Sequence, residues 1–570
     1  MKIALSQQNY HIGHFEYNAR KIIDAIGRAR ADKADLIVFT ELCVCGYPPR
    51  DFLEFTDFAG RCSESVNSIA RHAQGIGVII GSPVPNPEKA GKDLFNAACL
   101  LEDGKITGTV YKTLLPTYDV FDEYRYFEPG HEWNVLHFRG KRIALTICED
   151  IWNLGDNPLY RICPMDRLME QHPDLIINIS ASPFDYDHAE DRKEVIRANV
   201  RKYRLPLIYC NSVGAQTELV FDGGSMAMNA GGTIIRELGY FREDYALVEW
   251  DELSNPDAAV SKSALPVFDR EMRVSRISDP EKIVSFLTDE NNIREIHEAL
   301  IMGIRDYFSK LGFERALLGS SGGIDSAVTL ALACEALGAD KVKALLMPSE
   351  FSSSHSVTDA EQLSRNLGNP YEILPIKEAY SVMLTLLQPL FNDRPFGVAE
   401  ENLQSRIRGN LLMSVANKFG YILLNTSNKS ELSTGYGTLY GDMAGGLSVL
   451  GDVYKIQVYA LARFINRKKS VIPDSIIDKA PSAELRPGQK DSDSLPDYAL
   501  LDKILYQYIE RRKGPREIVQ MGIDAPTVDY VLKLVNTNEY KRNQFCPIIR
   551  VSTKAFGVGR RVPIVAKYLS

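Results

Sequence analysis

The sequence predicts two α/β domains in series, and three observations carry that prediction. The first is length: the chain has 570 residues, and one hydrophobic core stops growing at roughly 250–300 residues. The second is alternation, in both halves, of short β-branched apolar runs with stretches of helical periodicity. The third is a break near residues 252–285, where Asn255-Pro256-Asp257, Pro266 and Asp279-Pro280 interrupt the pattern and polar residues dominate. The expected division is a domain over 1–252, a linker over 253–285 and a domain over 286–570.

In the first half, strands are expected at Ile3–Leu5, Leu36–Phe39, Val78–Ile80, Ala97–Leu101, Ile106–Tyr111, Arg142–Ile147, Leu175–Ile179, Leu207–Cys210 and Met226–Asn229. Asp103-Gly104 marks a hairpin turn, and Gly231-Gly232 another turn. Asn18–Ala31 has helical spacing, with Ile22, Ile23 and Ile26 on one face. Leu175–Ile179 shows little polar alternation and is expected to be buried on both faces. In the second half, Asn292–Leu311 and Ala327–Leu337 read as helices. Arg315–Leu318, Val342–Met347 and Ile422–Leu424 read as strands, and Pro481–Pro496 as a loop.

Composition narrows the function classes. The chain is 45% hydrophobic and 25% charged, an ordinary globular balance. Its net charge of −8 argues against broad binding to nucleic acid or anionic lipid. No apolar run reaches the roughly 18 residues of a membrane helix. The start, Met1-Lys2-Ile3-Ala4-Leu5-Ser6-Gln7-Gln8, lacks the pattern of a signal peptide. Nine cysteines without a C-x-x-C pair suggest neither a disulfide framework nor a zinc ribbon, and a reducing cytoplasm is expected.

Three strands of the first half end in reactive side chains: Leu36–Phe39 leads to Glu41, Ile106–Tyr111 to Lys112, and Arg142–Ile147 to Cys148. A thiol attacks a carbonyl as thiolate, a carboxylate can take its proton, and an ammonium favours the thiolate and steadies an oxyanion. The three suffice for amide hydrolysis. Singly they read as a buried small residue, a solvated strand end and a loop carboxylate. Their surroundings decide. Phe39-Thr40-Glu41-Leu42 with Gly46-Tyr47-Pro48-Pro49, Tyr111-Lys112 with Leu115-Pro116, and Cys148-Glu149-Asp150-Ile151-Trp152 resemble, in order, the three motifs of the nitrilase (carbon–nitrogen hydrolase) superfamily. The resemblance covers residues 1–250 and implies an α-β-β-α sandwich that forms homo-oligomers. For glutaminase members it implies that Tyr118 and Ser182 hold glutamine. The basic residue six positions after that serine is here His188, with Arg192 or another group as the alternative grip on the glutamine carboxylate. Glu123 reads equally as a supporting carboxylate or an exposed loop charge.

The second constellation is Gly319-Ser320-Ser321-Gly322-Gly323-Ile324-Asp325-Ser326, between a predicted strand and helix. Small residues let the backbone approach an anion, and N–H groups at a helix start bind it. The string is neither a Walker A loop nor G-x-G-x-x-G. It resembles the pyrophosphate loop of the ATP pyrophosphatase superfamily, which implies a doubly wound parallel sheet. It also implies ATP as co-substrate and Asp325 as a Mg2+ ligand. The plain alternative for Asp325 is a helix-end carboxylate.

Downstream, Glu401-Asn402-Leu403-Gln404-Ser405-Arg406-Ile407-Arg408, Asn425-Thr426-Ser427-Asn428-Lys429-Ser430-Glu431, Gly435–Asp442, Lys455, Pro481–Arg486 and Tyr540-Lys541-Arg542 resemble the motifs of NAD synthetases. With the nitrilase-like half in front, the chain resembles the glutamine-dependent members of that family. The resemblance implies that Thr426 and Lys455 contact ATP, that Glu431 joins Asp325 on Mg2+, and that Asn402, Arg406, Glu431 and Lys541 hold deamido-NAD. It also implies that ammonia travels inside the protein from one site to the other. Two further readings stand beside it: an amidase with a regulatory nucleotide-binding domain, and an amidotransferase acting on another adenylated substrate.

Overall fold

The computed structural model describes residues 1–569 apart from 89, 155–157, 187, 256–279, 393 and 490. Most of the expected linker, and Asp187, therefore lie outside the described residues. The chain divides into two compact units, Met1–Arg276 and Ile277–Ser570.

The first unit is built from two six-stranded sheets. One runs, edge to edge, Asp244–Glu249, Lys2–Gln7, Leu36–Val38, Gly77–Pro85, Leu94–Glu102 and Lys105–Tyr111. The other runs Ile234–Glu237, Met226–Met228, Leu207–Asn211, Leu175–Ser180, Lys141–Ile147 and Leu136–Phe138. Strand alternation sorts their side chains into layers. Leu36 and Val38 of the first sheet meet Leu145, Ile147, Leu175 and Ile177 of the second in the central layer. Ile37, Val78 and Ile80 point the other way, onto Ile22, Ile26, Val66 and Ile69 of helices Phe15–Ala31 and Thr56–Ala70. Ala144 and Ile176 point out onto Met165, Leu168, Val195 and Val200 of helices Pro164–Met169 and His188–Tyr203. The result is the expected α-β-β-α sandwich. Each fully buried Leu or Ile contributes about 1.5–3 kcal/mol of transfer energy, set against the entropy of ordering the chain.

The strand directions place the site. Leu36–Val38 runs parallel to Gly77–Pro85, and two antiparallel steps later Lys105–Tyr111 runs the same way. Glu41 and Lys112 therefore leave the first sheet at one end. Lys141–Ile147 and Leu175–Ser180 are parallel, so Cys148 and Ser182 leave the second sheet together. Gly81 makes this possible for Glu41: a Cβ there would lie 2.4 Å from the nitrogen of Leu42 and 2.7 Å from the carbonyl oxygen of Thr40. The missing side chain lets the Glu41 turn cross the strand directly, and Val44 N–H donates to the Gly81 carbonyl at 3.2 Å.

The second unit has a five-stranded parallel sheet in the order Tyr371–Ile373, Val342–Leu346, Ala316–Gly319, Ile422–Asn425, Leu447–Ser448. In chain order this is 3-2-1-4-5, the expected doubly wound arrangement. The switch in direction falls beside Ala316–Gly319, which is where such sheets open a crevice for ligands. Leu317 and Leu345 pack on one face against Tyr380, Ile407 and Ala416 of helices Lys377–Phe391 and Val398–Phe419.

Boundaries moved where polar residues begin a helix. The expected helix Ala327–Leu337 starts at Ile324. Asp325 and Ser326 form its first turn because N–H groups there have no intrahelical acceptor and favour polar neighbours. Asn18–Ala31 likewise begins at Phe15 and Asn292–Leu311 at Glu290. Among the described residues, no helix is long and apolar enough to cross a membrane. Gly81→Ala should destabilise the first unit by about 1–3 kcal/mol, read as a lower urea midpoint; an unchanged midpoint would mean that the turn yields freely.

Candidate functional site

At the shared end of the two sheets, Lys112 is fully buried, and Glu41 and Glu123 are nearly so. The Lys112 ammonium donates to Glu41 Oε1 at 2.7 Å and to Glu123 at 2.8 Å. Asn96 donates to Glu41 at 2.8 Å, Tyr47 O–H donates to Glu123 at 2.8 Å, and Ala181 N–H donates to Glu41 Oε2 at 2.9 Å. Burial works against the charge of Lys112, but Glu123 and Glu41 outweigh it and hold the ammonium well above the ordinary lysine range. Burial pushes the Glu123 carboxyl up, with Lys112 opposing.

Cys148 follows its strand with φ of +44°, a left-handed conformation uncommon for a residue with a side chain. It is 5% exposed. Lys112 favours the thiolate, as expected, but it does not prevail. Burial first, and Glu41 second, push the thiol well up, and Lys112 only partly offsets them. The resting residue is a thiol, so its proton must leave as attack proceeds.

Asp150 ties the two reactive strand ends together. Its Oδ1 accepts from the N–H of Thr113 and Leu114, just past Lys112, at 3.1 and 2.9 Å, and its Oδ2 accepts from the N–H of Ile147, just before Cys148, at 3.1 Å. Beside it, Tyr118 O–H donates to Glu149 at 2.9 Å. Ser182 Oγ lies 3.1 Å from Nε2 of His188, whose ring stacks on Trp152 with centroids 5.4 Å apart. Tyr118 thus contacts the Cys148-Glu149-Asp150 turn, and His188, next to Ser182, contacts Trp152 just after it. Arg192 does not share this role. It is fully buried, and both its terminal nitrogens donate to Asp222, at 3.0 and 2.6 Å. That pair fixes helix His188–Tyr203 rather than facing a ligand. Glu123 proves to be the buried partner of Lys112, not a loop charge.

In the second unit, the loop after Ala316–Gly319 lies at the switch point of the sheet. Gly322 has φ of +77°, and a Cβ on it would lie 2.2 Å from the carbonyl oxygen of Ser356, so only glycine fits. Ser321 N–H donates to Ser326 Oγ at 3.2 Å, which closes the loop onto the first helical turn. Gly319, Ser320, Ser321, Gly323, Ile324, Asp325, Ser326, Thr426, Glu431 and Lys455 line one cavity, from which Gly322 is turned away. Ser320 Oγ is buried there with no hydrogen-bond partner among the described residues.

The Lys455 ammonium donates to Asp325 Oδ2 and, at 3.4 Å, to Glu431 Oε1. Asn428 donates to Asp325 Oδ1 at 2.9 Å and caps the helix that carries Glu431. Burial, followed by the neighbouring Asp325, pushes the Glu431 carboxyl up to about 8. Two carboxyl groups against one ammonium leave oxygen donors in surplus, a set that suits a hard cation once Glu431 has given up its proton. Asn402, Arg406 and Lys541 lie apart from this cavity lining. All three converge on the 435–441 turn: Asn402 accepts from Thr438 at 2.7 Å, Arg406 donates to Leu439 O at 3.2 Å, and Lys541 donates to the carbonyls of Gly435 and Gly437 at 2.7 and 2.8 Å.

Sequence reasoning gave no role to Tyr47, Asn96, Asn428 or Arg408. Asn96 is a lone polar residue in an apolar strand, and Asn428-Lys429-Ser430-Glu431 has the spacing of a capping box, so both left a local signal. Arg408 lines the cavity, and its Nε donates to Met347 O at 3.0 Å.

Two family models match the chain, a carbon–nitrogen hydrolase over residues 2–255 and an NAD synthase over residues 296–545. A glutamine-dependent NAD(+) synthetase from Synechocystis is 43% identical over 99% of both chains, and one from Thermotoga maritima is 40% identical over 100% of this chain and 99% of that protein. The chain belongs to the glutamine-dependent NAD(+) synthetase family. A family member from Acinetobacter baumannii, solved in complex with adenosine diphosphate, aligns over 99% of this chain and 98% of that one, with 36% identity and a TM-score of 0.74. The Cytophaga hutchinsonii synthetase, 20% identical, shares the fold with a TM-score of 0.78 over 99% of this chain and 98% of that one.

Glu149 offers a test of this site's electrostatics. Burial pushes its carboxyl up to about 7 from 4.5, with Lys112 and Tyr118 opposing. A raised carboxyl stabilises the fold below its unfolded value, and that contribution is lost as pH rises through 7. Between pH 5 and pH 8 wild type should lose about 2 kcal/mol relative to Glu149→Gln. Urea midpoints of both proteins at the two pH values measure this, and a gap that does not change with pH would contradict it.

Proposed function

We propose that the first unit hydrolyses glutamine and that the second uses the ammonia to convert deamido-NAD to NAD, with ATP cleaved to AMP and pyrophosphate. The observation that carries this reading is that both constellations stand in one chain that matches glutamine-dependent synthetases along its whole length.

In the glutaminase reaction Cys148 Sγ attacks the side-chain carboxamide carbon as Glu41 takes the thiol proton. The elevated thiol makes this transfer part of the attack rather than a prior step. Lys112 stabilises the oxyanion, and Glu123 holds Lys112 in place. Glu41 passes the proton to departing ammonia, leaving a glutamyl thioester. Water, deprotonated by Glu41, then releases glutamate and restores the thiol. Tyr118, Ser182 and His188 hold the amino acid.

In the synthetase reaction the nicotinate carboxylate attacks the α-phosphorus of ATP, because a free carboxylate offers ammonia no good leaving group. Gly319 to Ser326 receive the pyrophosphate on backbone N–H groups and hydroxyls, and Thr426 and Lys455 hold ATP. Ammonia then attacks the acyl carbon and AMP leaves. Asn402, Arg406, Glu431 and Lys541 hold deamido-NAD. Asp325 and Glu431 would hold Mg2+, which when bound offsets phosphate charge.

Two variants test the division of labour. Cys148→Ala should cut glutamine-driven NAD synthesis by about a thousandfold or more while ammonia-driven synthesis persists. Asp325→Ala should cut both by similar factors. NAD, AMP and glutamate measured together decide, and equal loss of both activities in Cys148→Ala would sink the assignment.

We further propose a homo-oligomer. Helix Lys377–Phe391 exposes Val382, Leu386 and Leu390 at 60, 70 and 78%, one apolar stripe at four-residue spacing. Leu386→Glu should shift the sedimentation coefficient to a smaller species; an unchanged coefficient would remove this face from the interface. The nine free cysteines match a reducing cytoplasm.

A further inference from the structure

Helix Lys455–Ile465 presents Lys455 to the adenylation site, yet its N-cap residue, Tyr454, makes no side-chain capping bond. The first N–H groups of a helix have no acceptor within it and must find one elsewhere. Two distant residues provide it. Lys455 N–H donates to Ser430 Oγ at 2.9 Å, and Ile456 N–H donates to Asp502 Oδ2 at 3.0 Å. Ser430 O–H in turn donates to Asp502 Oδ1. One carboxylate on helix Tyr498–Leu505 therefore binds two other helix starts at once. One of these carries Glu431, the neighbour of Ser430, and the other carries Lys455.

Neither Ser430 nor Asp502 lines the cavity, and both are fully buried. Any effect they have on ATP is therefore indirect, and the helix starts they bind carry Glu431 and Lys455. The arrangement also has a cost: Asp502 is buried with no salt bridge among the described residues, and a buried carboxylate without a cation lowers stability. Burial pushes it up to about 7 despite the hydrogen bonds from Ser430 and Ile456. The same helix adds Tyr498, whose ring lies 5.4 Å from the Lys455 ammonium.

We propose that Asp502 is a positioning residue for adenylation: through Ser430 and the first turn of helix Lys455–Ile465 it holds Glu431 and Lys455 against Asp325. The inference rests on the synthetase reading given above. Asp502→Asn discriminates between positioning and mere support. It removes the buried charge but sets an amide N–H against one of the two donors, so it should spare the fold and disturb the site.

The test is calorimetric ATP binding together with ammonia-driven NAD synthesis, for wild type, Asp502→Asn, Ser430→Ala, Lys455→Ala and the Asp502→Asn/Lys455→Ala pair. Glutaminase turnover and thermal midpoint serve as folding controls. Asp502→Asn and Ser430→Ala should each weaken ATP binding about tenfold, with glutaminase turnover retained. In the Lys455→Ala background Asp502→Asn should add little, because both changes act on one contact. Wild-type ATP affinity in Asp502→Asn, or an undiminished tenfold loss in the double variant, overturns the proposal. Should Asp502→Asn fail to fold, Ser430→Ala, which keeps the Asp502–Ile456 bond, decides by the same criterion. If wild type binds no ATP, the synthetase reading itself falls and this inference falls with it.

Discussion

A lysine ammonium taken out of water needs carboxylates around it, and the described residues meet that requirement three times in the same way. Lys112 lies between Glu41 and Glu123, Lys455 between Asp325 and Glu431, and Lys429 between Asp452 and Glu510 at 2.9 and 2.8 Å. Each ammonium is at most 3% exposed. Breaking such a cluster by removing one member strands a buried charge, at a cost of about 3–5 kcal/mol. The geometry around each lysine is therefore held tightly. Each cluster also carries one more carboxylate than ammonium. In the first unit the surplus is a base beside Cys148, and in the second it is an oxygen-rich corner beside the phosphate loop. At Lys429 the surplus is structural: Asp452 also accepts from the N–H groups of Val551 and Ser552, anchoring a distant part of the chain.

Both sheets supply these residues from strand ends, for a shared mechanical reason. A paired strand cannot slip register without breaking its ladder, and Lys141–Ile147 is in addition buried from Ile143 to Ile147, so the residue just past such a strand has a fixed position. Lys112 and Cys148 are the first residues beyond Lys105–Tyr111 and Lys141–Ile147. Asp150 then joins the two ends by backbone hydrogen bonds, so the separation between ammonium and thiol does not rely on side-chain packing alone.

Features encoded within a few consecutive residues were legible from the sequence. The three reactive strand ends, the Ser-Gly-Gly-Ile-Asp-Ser loop and the Asp103-Gly104 turn all announce themselves in short words with a local physical meaning. What was not legible depends on partners far apart in the chain. Asp244–Glu249 closes the first sheet by pairing with Lys2–Gln7, and nothing in either segment names the other. Glu123 read equally as a supporting carboxylate or a loop charge, because the Lys112 and Tyr47 that bury it come from other parts of the chain. Arg192, a plausible ligand grip by spacing, is taken by Asp222, thirty residues on. Helix His188–Tyr203 was missed although Val195, Ile196 and Val200 have helical spacing, because charged residues outnumber apolar ones around them.

The burial of the three lysine clusters has a consequence for the medium in which the protein works. Mobile ions screen charges over about 8–10 Å at physiological ionic strength, but only where solvent can carry them. The pairs salt can reach are those at the rim, such as Arg50 with Glu218 or Arg236 with Glu252, where one or both side chains are substantially exposed. Such exposed pairs contribute little, about 0–1 kcal/mol each. The charges that set the proton affinity at Cys148 lie behind protein, with Lys112 and Glu41 at most 1% exposed. Their local field is accordingly set by the folded packing and its hydrogen bonds, not by the osmotic and ionic state of the surrounding solution.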